Sequence, residues 1–423
     1  YSETLRWLPN FHKSLGQHFM SIEISPSSFE FSELHQRMQF YIDEEILSCC
    51  ATLIMRGTEV LDYKTYGFMD LESKRPLMDD AIYRMYSNTK LVTSVALMML
   101  WERGAFQLDD PLERFMPNFK DMKVLRSGAK SPEDVAPAAQ KISIRHCLSH
   151  TAGFSYGFIE PNSIIDKAYA DGGLSVISDS SVSLEDFCDR LSSLPLAYEP
   201  GSSWRYSVAT DVCARLVEVL SGKAFDEFLR ENIFQPLGMG DTDFWVPEDK
   251  TDRFITQYAP MDLFDPMKPG LVKQDDPITG EYSTKRAFLS GGGGLVSTVS
   301  DYLAFLKVLV NGGIWNGVQL LKPETLSMMR TSQLADGVKV AFPMWSMPGT
   351  GFGLGFAIKL ETEKDEPAAA LDEYHWGGMA GTHSWMSPRT DITGFCLTQR
   401  MPGFWHPFSH EFKSIVYKLA EHQ

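Results

Sequence analysis

Ser87-Asn88-Thr89-Lys90 opens the apolar run from Leu91 to Leu100, so a hydroxyl and an amine stand three positions apart at the start of a hydrophobic segment. On a helix, positions i and i+3 share a face, and the first turn also carries free backbone N–H groups and the positive end of the macrodipole. A serine placed there can become a nucleophile. Partial burial beside the positive helix end disfavours the lysine as a cation, so its amine can take the serine proton. No Pro or Gly interrupts the run before Gly104, which falls where a C-cap is expected. The plain alternative is an N-cap serine with a solvated lysine one turn on.

Two further segments carry candidate chemistry. Pro200 to Ser207 sets Tyr206 in a turn before a helix expected from about Asp211, where a phenol can be presented rigidly and can deprotonate Ser87. His375-Trp376-Gly377-Gly378-Met379 pairs two glycines at a strand end, which lets another backbone or a substrate approach closely. A backbone N–H aimed from that edge, together with the Ser87 amide, makes a two-donor oxyanion hole.

Four other patterns have bland readings. Ser127-Gly128-Ala129-Lys130 repeats S-x-x-K, but it lies in a polar Pro- and Gly-containing stretch with no helix to enter. Gly153-Phe154-Ser155-Tyr156-Gly157 matches G-x-S-x-G, yet no strand precedes it and no helix follows, as a nucleophile elbow requires. Gly291 to Gly294 precedes Leu-Val-Ser-Thr rather than the Gly-Lys-Ser/Thr of a phosphate loop. His146 and His150 lack the glutamate of H-E-x-x-H and a third ligand, so they read as a structural pair with no metal.

The elements that must hold these groups follow from periodicity. A helix is expected near 29–47, then a hairpin of Cys50 to Met55 and Val60 to Tyr66 about Arg56-Gly57. Helical patterns with long connections fill the middle: Ser143 to Ser149, Leu184 to Leu194, Asp211 to Leu220 and Ala224 to Ile233. A helix capped by Ser300-Asp301 and ended at Asn311-Gly312-Gly313 leads to strand-like runs at Gly353 to Ile358, Thr382 to Met386 and Ile392 to Leu397, and a helix from Pro407 to Glu421. Strands at both ends around a helical middle predict a mixed α/β (α+β) domain from 1–120 and 285–423, interrupted by a mostly helical insert at 121–284, with the site between them.

With 423 residues, of which 43% are hydrophobic, large cores are affordable. The formal charge of −16 and the lack of any basic run argue against nucleic acid or an anionic membrane as partner. No apolar stretch reaches the roughly 20 residues of a membrane span, and no leader pattern opens the sequence. Six irregular cysteines, including adjacent Cys49 and Cys50, are too few for a disulfide framework and point to a reducing, cytoplasmic compartment.

In this order and at these separations, the Ser87, Tyr206 and Trp376-Gly377-Gly378 segments, with Ile142 to Phe154, Phe234 to Met239 and Gly292 to Thr298, resemble the serine hydrolases of the class C β-lactamase and penicillin-binding-protein superfamily. The closer likeness is to family VIII carboxylesterases and related acyltransferases, over roughly 35–415. The resemblance implies a β-lactamase/transpeptidase-like fold, an antiparallel sheet flanked by helices with a helical second domain, and no cofactor. It implies Ser87 as the acylated nucleophile, Lys90 and Tyr206 as its proton partners, Trp376-Gly377-Gly378 as the site strand, and Met379 as the second oxyanion N–H donor. Val208 stands where β-lactamases place Asn, and Trp376 where they place Lys. Losing that cation removes the main attraction for an anionic substrate, so a small neutral ester is expected ahead of a lactam or D-alanyl peptide. Trp204, Trp245, Trp345, Trp376 and Trp385 are candidates for an apolar pocket or for core. Acyl transfer to a bulky alcohol is the rival activity, weak β-lactamase or peptidase action follows, and an idle scaffold is the rival outside enzymes; the oligomeric state is left open.

Overall fold

The computed structural model describes residues 22–174, 181–343, 346–364, 366–403 and 406–421; Trp345 lies outside them. Alternation of side chains along a strand decides the layering. In β1 (Cys49–Arg56), Cys49, Ala51, Leu53 and Met55 enter one hydrophobic core while Cys50 and Ile54 enter another. The adjacent cysteines thus face opposite sides of one strand, and all six cysteines are free and buried.

β1 forms the expected hairpin with β2 (Glu59–Asp70), and β3 (Arg75–Pro76) lies at the edge. The remaining strands come from the far end of the sequence: β4 (Thr350–Phe352), β5 (Ala357–Lys359), β6 (Tyr374–Gly378), β7 (Thr382–Ser387) and β8 (Ile392–Leu397). The eight strands run β4-β5-β6-β7-β8-β1-β2-β3 with antiparallel pairing throughout. The single strand expected over Gly353 to Ile358 is instead a hairpin, β4–β5. Gly355 adopts φ +96° and its N–H bonds Leu148 O at 3.0 Å, and a Cβ there would lie 2.2 Å from Ser94 Oγ. Close approach to a helix therefore breaks the strand.

Helices α1 (Ser32–Asp43) and α6 (Pro407–Glu421) cover one face, burying Leu34, Met38, Tyr41, Phe412 and Val416 against Trp385. The other face packs on α2 (Thr89–Glu102) and α5 (Val299–Val310). Every residue of α2 from Thr89 to Leu100 is buried, as an all-round apolar helix must be. It is enclosed on its other side by the helical segment that includes α3 (Ile144–Leu148) and α4 (Ala209–Ser221). Gly104 takes φ +77° past the end of α2, as a C-cap glycine should. For α5 the cap is Thr298, whose side chain accepts the Asp301 N–H, rather than Ser300. No helix of the described residues is long and apolar enough to cross a membrane.

Candidate active site

Ser87 sits in a 3-10 turn, Tyr86–Asn88, and the α-helix proper begins at Thr89. The chain leaves the short strand Tyr83–Arg84 and bends sharply at Tyr86, whose φ of +45° is costly for a residue with a Cβ. That bend is held on both sides, by Met85 N–H to Leu295 O at 2.9 Å and by the Tyr86 hydroxyl to Gln257 Oε1 at 2.7 Å. Asn88 stands at the N-cap position of α2, but its side chain makes no capping hydrogen bond. Its amide donates to Thr382 Oγ1 (2.9 Å), its Oδ1 accepts from Ser384 Oγ (2.9 Å), and its carbonyl accepts from Tyr302 (2.9 Å), which ties the turn to β7 and α5.

The i, i+3 pairing survives the change of helix type. Lys90, 2% exposed, places Nζ 3.1 Å from Ser87 Oγ, 3.0 Å from the Tyr156 oxygen and 2.6 Å from Gly292 O. Three oxygens thus stand within hydrogen-bond reach of one nitrogen. Nζ also lies 4.6 Å from the Tyr206 ring centroid.

Tyr206 also reaches Ser87, oxygen to oxygen 2.5 Å. Its turn is fixed by Arg205 N–H to His150 O (2.9 Å) and Val208 N–H to Ser155 O (3.2 Å), and α4 starts at Ala209. The ring is wedged among His150, Tyr156, Phe342 and Trp376, with centroids 5.1 to 5.4 Å away. Burial and the Lys90 charge hold the His150 pKa well below its ordinary value, so it packs as a neutral ring with Nδ1 3.2 Å from Ser207 Oγ. His146 does a separate job, accepting the Ser143 N–H in a capping box.

Trp376 is 1% exposed, and its indole N–H donates to the Tyr206 oxygen at 3.2 Å. The residue standing at the lactam enzymes' lysine position therefore addresses the candidate base. Val208, 2% exposed, brings no polar side-chain atom. Gly378 pairs with Thr382 and Gly377 with His383 across β6 and β7. A Cβ on Gly378 would lie 2.5 Å from Met85 O and 3.0 Å from Tyr86 Cβ, so only glycine lets the strand end lie against the nucleophile turn. Met379 follows at that end. Among the described residues, neither the Ser87 nor the Met379 amide N–H has a turn or loop acceptor, the condition for donating to a substrate oxygen.

Two groups at the centre escape sequence reading. Tyr156 is one: burial first, then Tyr206 and Asp211, push its pKa well above the usual phenol value, so it keeps its proton beside Lys90. Asp211 on α4 is the other, 3% exposed, accepting Ser290 Oγ (2.6 Å) and Gly292 N–H (3.0 Å) through Oδ1. The G-x-S-x-G pattern around Tyr156 centres on Ser155, which lacks the strand and helix of a nucleophile elbow. Ser155 is wholly buried and hydrogen-bonded to Asp166 and to Arg205 Nε (2.7 Å), while Arg205 also pairs with Asp166 at 2.9 Å. That node fixes the loop carrying Tyr156 and the turn carrying Tyr206. Ser127 is exposed at the tip between short strands Lys123–Leu125 and Val135–Pro137. Trp385 packs under α6 beside Tyr417, away from the site. A cavity of about 530 Å³ runs along β6 and β7 to α6; Trp376, Gly377 and Gly378 line it with Thr350 and His375, whereas Ser87 and Tyr206 do not.

Residues 41–410 match the beta-lactamase family. Protein Rv1367c of Mycobacterium tuberculosis is 31% identical over 367 residues, covering 85% of this chain and 88% of that protein. Esterase EstB of Burkholderia gladioli is 28% identical, covering 87% and 91%. The solved structure described as EstCE1, a hydrolase with promiscuous acyltransferase activity, superposes with a TM-score of 0.73 at 26% identity, covering 91% of this chain and 98% of that one. With its antiparallel eight-stranded sheet, its buried S-x-x-K helix and these matches, the chain belongs to the beta-lactamase family of serine hydrolases related to penicillin-binding proteins.

Proposed function

We propose that this protein is a serine carboxylesterase that hydrolyses small neutral esters through an acyl-enzyme on Ser87. The observation that carries the reading is the position of Ser87 Oγ between Lys90 Nζ at 3.1 Å and the Tyr206 oxygen at 2.5 Å. With Tyr206 entering the reaction as its phenolate, Oγ attacks the ester carbonyl as its proton passes to the Tyr206 oxygen, and Lys90 as the ammonium stabilises the negative charge shared by the two oxygens. The carbonyl oxygen, now anionic, takes the N–H groups of Ser87 and Met379. The C–O bond to the alcohol breaks, the alcohol leaves with the proton held by Tyr206, and water repeats the sequence on the acyl-enzyme to release the acid.

Neutral esters are favoured by what lines the site. Val208 and Trp376 offer neither the amide nor the cation expected to grip a lactam's side-chain amide and carboxylate, and Trp376 directs its one donor to Tyr206. The similarity to EstB supports an ester substrate. Acyl transfer is the second reading, favoured by the description of EstCE1; the same acyl-enzyme is then intercepted by an alcohol. The test is a substrate panel: kcat/KM for short p-nitrophenyl esters should exceed that for nitrocefin by at least about 10²-fold, about 2.7 kcal/mol of transition-state discrimination. Comparable values would overturn the ester assignment.

A further inference from the structure

Gly291 to Gly294 bind no phosphate in this reading, yet their backbone meets the site. Gly292 O accepts Lys90 Nζ at 2.6 Å and Gly291 O accepts Thr93 Oγ1 at 2.8 Å, both from α2. On the other side the turn abuts α4, where Asp211 Oδ1 takes the Gly292 N–H at 3.0 Å and the Ser290 hydroxyl at 2.6 Å. The space between the helices admits only bare backbone. A Cβ on Gly292 would stand 2.7 Å from Asp211 Oδ2, and one on Gly291 would stand 2.6 Å from Ala214 Cβ. The glycine run is thus a peptide wedge with a carboxylate on one side and the lysine amine on the other.

A carboxylate is a costly choice for clamping a turn. Burying it away from water is unfavourable unless charge and hydrogen bonds compensate, and an asparagine oxygen accepts the same two donors. The titratable groups facing Lys90 are Tyr156, Tyr206, the neutral His150 and Asp211. Those facing Asp211, besides Lys90 and Tyr156, are the buried thiols of Cys188 on Leu184–Ser192 and of Cys213 on its own helix. Asp211 is the one carboxylate in that set. Burial raises its pKa, and Lys90 is the largest influence pulling it back.

We propose that Asp211 is a positioning residue for Lys90: by holding the Gly292 backbone through its N–H it aims the Gly292 carbonyl at the amine, and its negative charge holds Lys90 as the ammonium beside Ser87 and Tyr206. The serine proton then goes to Tyr206, and Lys90 is the electrostatic partner rather than the acceptor, contrary to the expectation from the helix dipole alone. This rests on the Ser87, Lys90 and Tyr206 reading above.

The test uses the full chain and a short p-nitrophenyl ester. Asp211→Asn keeps the acceptor and removes the charge, so kcat should fall roughly 10- to 100-fold with KM within about threefold. The acid limb of kcat/KM should also move to lower pH, because removing a nearby negative charge lets a base lose its proton more readily. A kcat within threefold of wild type, or an unmoved acid limb, overturns the proposal, since a purely structural clamp predicts that result. Ser290→Ala, which strips one donor from Asp211, should lower kcat about 3- to 10-fold; it decides the matter if Asp211→Asn does not fold, and an unchanged kcat then overturns the proposal. Ser87→Ala run alongside separates the two levels: residual hydrolysis there sinks the site reading, whereas an inactive Ser87→Ala with an unaffected Asp211→Asn sinks only this inference.

Discussion

Replacing Tyr206 by phenylalanine removes one oxygen and leaves the ring that His150, Tyr156, Phe342 and Trp376 grip. Packing is therefore retained while the polar contacts of that oxygen disappear, and two of them carry the prediction. One is the 2.5 Å approach to Ser87 Oγ, the path proposed for its proton. Loss of a positioned general base lowers kcat by typically 10² to 10⁴, or about 3 to 5 kcal/mol of barrier. The other is the Trp376 indole N–H, which would be left as a buried donor without this acceptor at a cost of about 1 to 3 kcal/mol in stability. Steady-state hydrolysis of a p-nitrophenyl ester reads the first effect, and thermal or urea unfolding followed by circular dichroism reads the second. Folded Tyr206→Phe with kcat within threefold of wild type would refute the assignment of Tyr206 as base and leave Lys90 as the remaining candidate.

Ser155→Ala should keep most hydrolytic activity yet unfold more easily, by about 1 to 3 kcal/mol, because it strips a buried partner from Asp166 and Arg205; Ser127→Ala should change neither property. Loss of activity in folded Ser155→Ala would shift the search for the nucleophile. With a vinyl ester and millimolar alcohol, free acid should be the main product by chromatography, because water at about 55 M outcompetes an alcohol that is not bound and oriented; mostly transferred ester would favour the transferase reading. Asp301 has its pKa raised to about 6 by burial, against the Asp241 N–H and Thr242 hydroxyl it accepts. A raised folded-state value means stability present below the ordinary carboxyl range and lost as pH rises through about 6. The melting temperature of Asp301→Asn relative to wild type should therefore increase between about pH 4.5 and pH 8, and a constant difference would contradict the sign.

What local spacing determines was legible in the sequence. Ser87 and Lys90 meet because residues three apart share a helical face, whether the turn is 3-10 or α. The β1–β2 hairpin and α6 followed from alternation and 3.6-residue periodicity. Tyr206 stood out because a turn before a helix presents a side chain rigidly. The groups that surround Lys90 were not legible. Tyr156 and Gly292 lie 66 and 202 residues away in sequence, and only the packing of the glycine wedge between α2 and α4 joins them. Asp211 stood in the sequence only as the approximate start of a helix, since its burial depends on that same packing. The β4–β5 break likewise came from a neighbour, Ser94 on α2, against which Gly355 presses.

The measurement that bears most directly on the central claim is fluorophosphonate labelling of the intact protein, followed by proteolysis and mass mapping of the modified peptide. A single adduct on Ser87 is expected, formed much more slowly when Tyr206 is phenylalanine and absent in Ser87→Ala. An adduct on Ser155 or Ser127, or stoichiometric labelling that persists in Ser87→Ala, would contradict it.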